Sequence, residues 1–150
     1  MAFNDSGTLG LDVSDKYSHF CRLDSSGAVI EEGRIRTAIA SFRQHFDGDP
    51  CRVVIEAGTH SPWISRFFAE VGFEIIVANP RRVQLIGQAT KKNDRSDAEV
   101  LARLGRMDPK LLAPIAHRDL QAQADLAVIR GRHALINSRS LLINHVRGAV

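Results

Sequence analysis

An α/β fold, with one mixed five-stranded sheet flanked by helices and a long C-terminal helix, is predicted by three features of the sequence. Residues 8–35 contain three alternating or apolar segments joined by short polar loops. Beyond residue 50, short apolar runs take turns with stripes at helical spacing, and beyond residue 117 apolar clusters recur seven apart.

The elements follow in order. In Thr8 to Val13, Leu9, Leu11 and Val13 fall on one face and Gly10 and Asp12 on the other, which is a strand. Tyr17 to Leu23 and Ala28 to Ile35 return as two further strands, so an antiparallel meander is predicted. Thr37 to Phe46 reads as a helix with Ile39, Phe42 and Phe46 inward, stopped by DGDP. Arg52 to Glu56 is a continuous apolar run ended by a charge, the pattern of a central strand covered on both sides. Thr59 or Ser61 can cap the next helix, Pro62 suits its first position, and Trp63, Ile64, Phe67, Phe68 and Val71 form its buried stripe. Phe73 to Ala78 is another buried strand, Arg81 to Gln88 a short helix, and a longer helix starts near Asp94. Asp108-Pro109 and Pro114 then break the pattern. We divide the chain into a core domain, residues 1–110, and a linker with the start of a coiled-coil helix, residues 111–150.

Composition narrows the function. At 150 residues and 44% hydrophobic, the chain has enough apolar surface for one domain with a genuine core. No apolar run has the length of a membrane span, and the N-terminus lacks a signal-peptide layout, so a cytoplasmic protein without membrane partners is expected. Cys21 and Cys51 show no metal-ligand spacing and read as reduced, half-buried thiols. Residues 1–80 carry seven Lys/Arg against eleven Asp/Glu, whereas residues 81–150 carry thirteen against six. The second half is therefore the candidate polyanion surface.

The stretch KKNDRSDAEVLARL places Asp94 and Asp97 three apart at the mouth of a helix, where both project from one side. Helix capping accounts for such a pair on its own, and Ser96 followed by Glu99 fits a capping box. Two further acids change the reading: Asp12 ends the first strand and Glu56 ends the fourth. Meander, helix, strand, helix, strand, helix is the element order of a ribonuclease H-like domain, in which the first, fourth and fifth strands lie side by side. In that order Asp12, Glu56, Asp94 and Asp97 converge, and two Mg²⁺ or Mn²⁺ ions are the natural counter-charge for phosphodiester chemistry. Lys91, Lys92 and Arg95 flank the helical pair, Arg81 and Arg82 follow the fifth strand, and Lys16 follows the first; these are the candidate nucleic-acid contacts. Asp15 reads as a turn residue and the six histidines receive no role, although His60, four residues past Glu56, could reach the site.

GLDVSDKY, VVIEAGTHSPWISR, VANPRRV, KKNDRSDAEVLARL and DPKLLAPIAHRD together resemble the N-terminal catalytic domain of the RuvC-like DEDD transposases of bridge-RNA-guided insertion sequences. The resemblance implies that Asp12, Glu56, Asp94 and Asp97 are the metal-binding acids. It further implies DNA and a structured guide RNA as partners, a prokaryotic mobile-element setting, and a final helix opening a coiled coil for homo-oligomer assembly. Members of that family continue into a second domain carrying a serine nucleophile, which is not found in these residues, so a fragment or truncated copy is expected. Three alternatives share parts of the pattern. A Holliday-junction resolvase uses the same acids, an actin-like kinase needs Gly-rich phosphate turns that Ser14 to Tyr17 lack, and a DEDD exonuclease has an acid where Ser14 stands. A non-catalytic nucleic-acid-binding or assembly module would use the acids only as caps and surface charge.

Overall fold

The structure, a computed structural model, describes residues 7–48, 50–87 and 94–149, leaving aside the side chains of residues 86–87 and 94–96. The order is β1 (Thr8–Asp12), β2 (Tyr17–Leu23), β3 (Val29–Arg36), α1 (Ile39–His45), β4 (Arg52–Glu56), α2 (Ser61–Glu70), β5 (Glu74–Ala78), α3 (Pro80–Gly87), α4 (Asp94–Met107), a 3-10 turn (Pro109–Leu112) and α5 (Leu120–Gly148). The five strands form one sheet in the order β3-β2-β1-β4-β5. β1 pairs antiparallel with β2 and parallel with β4, and β4 pairs parallel with β5. An antiparallel meander continued by parallel crossover strands is the ribonuclease H-like arrangement predicted above.

Alternation along the strands decides which helix covers which face. Leu9, Leu11, Val53 and Ile55 turn to one side, where they meet Phe42 and Phe46 of the α1 segment and Ile64, Phe67 and Phe68 of α2. Phe42 anchors this side: it is fully buried, its ring centroid lies 6.0 Å from that of Phe68, and it stacks on Trp63 at 5.7 Å. On the other face Val54, Ile76 and Ala78 meet Leu101 and Leu104 of α4, while Cys21 and Leu23 meet Ala98 and Ala102. The domain is thus three layers, helix, sheet and helix.

The approach of α4 to the sheet depends on two glycines. A Cβ at Gly10 would collide with the Ala98 carbonyl oxygen and lie 2.6 Å from the Ala102 amide nitrogen, and one at Gly105 would collide with Val54. Arg52, at the start of β4, donates from Nε to Glu74 Oε2 at 2.8 Å and from Nη1 to the Gly105 carbonyl at 3.0 Å. The C-terminal end of α4 is therefore tied to the end of the sheet where β1 and β4 begin. Running antiparallel to those strands, α4 carries its N-terminus toward the end where Asp12 and Glu56 lie.

Several local expectations are corrected. Ile39 is 51% exposed because α1 presents only Phe42 and its flanking Phe46 to the core, and Val71 is exposed at the end of α2. Neither Thr59 nor Ser61 caps α2; His60 stands at the N-cap without a side-chain cap, and the Ser61 hydroxyl folds back to donate to the Gly58 carbonyl at 2.8 Å. Both cysteines are fully rather than half buried. The segment after α4 also packs on the core: Asp108 caps the 3-10 turn, Leu112 is fully buried, and the Ile115 amide donates to the Val77 carbonyl at 2.8 Å.

Residues 117–150 form a second compact unit. Within it α5 is capped by Asp119, which accepts from the Ala122 amide at 2.7 Å, and no residue of α5 is buried. No helix among the described residues is long and apolar enough to cross a membrane.

Candidate active site

Parallel pairing sets the first two acids side by side. Leu11 pairs with Ile55 in register, and Asp12 and Glu56 follow at the next positions of adjacent strands. They share the face of Gly10 and Val54, the face α4 covers, and both are half-buried. Together with Val13, Asp15, Gly58 and His60 they line a cleft of about 180 Å³ at the end of the sheet.

Helix geometry brings the other two positions to the same end. Ala98 sits over Gly10; from there Asp94 lies about 6 Å further along the helix axis, and Asp12 about 7 Å further along β1. Asp97 is half-buried, and helical periodicity puts positions 94 and 97 on the stripe of Ala98, Leu101 and Gly105. The side chains of Asp94 and Arg95, and residues Lys91 and Lys92, lie outside the described residues. Among the described residues, no three His, Cys, Asp or Glu side chains are grouped closely enough to hold a metal ion.

The remaining candidate cations are placed around this end. Lys16 is exposed in the loop between β1 and β2. Arg81 and Arg82 are exposed in the first turn of α3, directly beyond the end of β5, and the Arg81 amide donates to Asn79 Oδ1 at 3.0 Å. Glu56 is paired in register with Ala78, so α3 leaves the sheet at the cleft's level.

Two residues given no role from the sequence belong to the cleft. His60 Nε2 lies 2.9 Å from Asp15 Oδ1, and Trp63 Nε1 donates to His60 Nδ1 at 3.2 Å. An indole nitrogen only donates, so Nδ1 accepts and Nε2 carries the proton toward Asp15. Trp63 is itself stacked on Phe42, which runs a continuous path from core to cleft. The loop bearing Asp15 is held from behind: Thr37 Oγ1 donates to the Ser14 carbonyl at 2.7 Å, and the Thr37 amide donates to the Lys16 carbonyl at 3.0 Å. The available signal was the spacing Glu56, His60, Trp63. Asp15 carried none, because its partner is 45 residues away. His19 was also passed over; it pairs across the strands with Asp12, and its buried Nδ1 has no hydrogen-bond partner among the described residues.

A ribonuclease H-like sheet with carboxylates at the ends of adjacent central strands, and a helix start aimed at them, is the class of domain this fold and site define. Residues 9–150 match the family model DEDD_Tnp_IS110, described as a transposase, and the chain belongs to that family. It is 26% identical over 152 residues to the transposase for insertion sequence element IS1111A of Coxiella burnetii (strain RSA 493 / Nine Mile phase I). That alignment covers 98% of this chain and 39% of the relative, so the chain spans about two-fifths of the relative's length. Among solved structures it is similar to T. thermophilus RuvC in complex with a Holliday junction substrate, at TM-score 0.44 and 10% identity over 67% of this chain and 97% of that one. A second Thermus thermophilus RuvC structure gives TM-score 0.43 and 13% identity, with 67% and 96% covered. Strand order and pairing, rather than these superpositions, carry the fold assignment.

Proposed function

We propose that this domain performs divalent-metal-dependent phosphodiester chemistry on DNA during insertion-sequence transposition. The observation that carries the reading is the placement of Asp12 and Glu56 at neighbouring positions on adjacent parallel strands, in one cleft. Carboxylate oxygens are the donor set that suits magnesium-like ions, and Asp12, Glu56, Asp94 and Asp97 would hold two Mg²⁺ or Mn²⁺. Bound there, the ions would supply an activated water and offset the negative charge that develops around phosphorus.

The chain's own groups do the rest. Arg81, Arg82 and Lys16 hold substrate phosphates at the mouth of the cleft, with Lys91, Lys92 and Arg95 assigned the same task from the helix side. Asp15 and Trp63 fix the His60 ring, so its N–H direction is set before substrate arrives. The exposed apolar residues of α5, among them Val128, Ile129, Leu135, Leu141 and Leu142, support assembly with a second copy of the chain through this helix. A structured guide RNA as a further partner rests on the family resemblance. Family membership favours this reading over a stand-alone resolvase.

Nicking of supercoiled DNA tests the reading. With Mn²⁺ the chain should produce an open-circular product, and Asp12→Asn and Glu56→Gln should each remove it. Equal nicking by both variants and the unaltered chain would overturn the assignment.

A further inference from the structure

A cationic strip runs from the acidic cleft to the open edge of the sheet. Its position follows from strand register alone. Asp12 pairs with His19, His19 pairs with Arg34, and Tyr17 pairs with Arg36. Paired residues share a face, and residues two apart on a strand share it too, so Tyr17, His19, Arg34 and Arg36 lie on the same side as Asp12 and Glu56. Across that row the side chains change from carboxylate through imidazole to guanidinium. Adjacent strands are about 4.8 Å apart, which puts Arg34 about 10 Å from Asp12.

The strip is open to a partner. β3 is the edge strand, and Arg34 and Arg36 are exposed, as is Tyr17 at 46%. Helix α4 packs on β1, β2 and β4, inside the edge. The Arg34 guanidinium carbon lies 4.6 Å from the centroid of the Tyr17 ring. Stacked this way, a planar guanidinium has its position fixed while its N–H edges stay available, which suits paired hydrogen bonds to a phosphate. The one acid on this face of β3 is Glu32, two residues before Arg34 and further from the cleft end. The distance also fits a division of labour. Guanidinium groups 10 Å away would not neutralise the carboxylates, yet would hold the same strand a few nucleotides from the bond in the cleft.

We propose that Arg34 and Arg36, with Tyr17 pre-positioning Arg34, form a docking strip for the single DNA strand that leads into the Asp12–Glu56 cleft. This rests on the reading that the cleft acts on a DNA phosphodiester. The strip reads no sequence, because its contacts go to phosphates.

The test is fluorescence anisotropy with the 150-residue chain, a labelled single-stranded DNA oligonucleotide and an RNA of the same sequence, over a range of salt. Arg34→Ala combined with Arg36→Ala should weaken DNA binding at least about fivefold and flatten the slope of log affinity against log salt by about 1.4, or 0.7 for each lost phosphate contact. Tyr17→Leu should lose part of the affinity and Tyr17→Phe should keep it. Arg43→Ala, which removes one charge from an exposed residue of α1 on the opposite face of the sheet, should leave binding unchanged. Melting temperatures establish that each variant is folded. Unchanged DNA affinity in the double variant, or a loss equal to that of Arg43→Ala, would overturn the proposal, as would a loss confined to the RNA probe. Mn²⁺ binding is measured on the same samples. If it is retained by the double variant while DNA binding is unaltered, the strip fails and the cleft reading stands; if the chain binds no Mn²⁺ but the double variant loses DNA, the cleft reading fails alone.

Discussion

Gly10 lies directly beneath the carbonyl oxygen of Ala98, so close that no Cβ fits between them. This contact sets the height of α4 above β1 and hence where the start of that helix meets the carboxylate end of the sheet. Because the obstructing atoms are backbone, a side chain cannot swing away to relieve the clash. Gly10→Ala should therefore lift α4 and destabilise the fold by about 1–3 kcal/mol, the range for overpacking a close-packed interface. Urea denaturation checks this; an unchanged midpoint would show that the helix is not seated as described.

Arg52 fixes the opposite end of the same helix through Glu74 and the Gly105 carbonyl. Its side chain is 13% exposed, so removing the charge leaves a partly buried carboxylate without its partner. Arg52→Met should cost about 1–3 kcal/mol in the same denaturation experiment. Arg52→Met with Glu74→Leu should recover part of that loss, because neither charge is then stranded.

Asp24 organises the β2–β3 turn. Its Oδ1 accepts from the Ser26 hydroxyl at 2.6 Å, the Ser26 amide at 2.8 Å and the Ala28 amide at 3.0 Å. The Ser26 side chain first, then the Ala28 amide, hold the Asp24 carboxyl below its usual value of 3.8. A lowered folded-state pKa stabilises above the unfolded value, and that contribution fades as pH falls through the folded value. The melting-temperature difference between the unaltered chain and Asp24→Asn should thus be constant near neutrality and shrink below about pH 4. A difference that grows on acidification would contradict the turn's role.

His60 is held by Asp15 and Trp63 at the lip of the cleft. Replacing it with Phe preserves the ring's bulk but removes both hydrogen bonds. Nicking should slow about tenfold through lost positioning at the cleft lip, while Mn²⁺ affinity changes little, because the hydrogen bonds of His60 go to Asp15 and Trp63 rather than to the four acids. His60→Gln should restore part of the rate. If His60→Phe abolished ion binding instead, His60 would be a ligand rather than a positioning residue.

Most of the sheet was legible because strand alternation writes its faces directly: Leu9 and Leu11 against Gly10 and Asp12 already separate the two sides. Asp12 and Glu56 were legible as ends of strands, and their adjacency followed once β1 and β4 were taken as neighbours. Ile39 and Val71 were misread because a helical stripe identifies a face but not where the partner helix stops covering it. The cap of α2 was misread because a serine hydroxyl serves a preceding loop as readily as a helix start, and Ser61 turns back to Gly58. Asp15 with His60, and Arg34 with Tyr17, escaped notice because each pair is made only by tertiary placement. The strip on β3 in particular carries no motif; it exists through register with Asp12, two strands away.

A carboxylate-built metal centre requires Asp12, Glu56 and Asp97 to share one ion-binding pocket with Asp94. Thermal unfolding with and without Mn²⁺ measures this most directly. Mn²⁺ should raise the melting temperature of the unaltered chain, and Asp12→Asn, Glu56→Gln and Asp97→Asn should each abolish the rise while remaining folded. A rise that survives in all three variants, or none in the unaltered chain, would contradict a carboxylate-built metal centre at this end of the sheet.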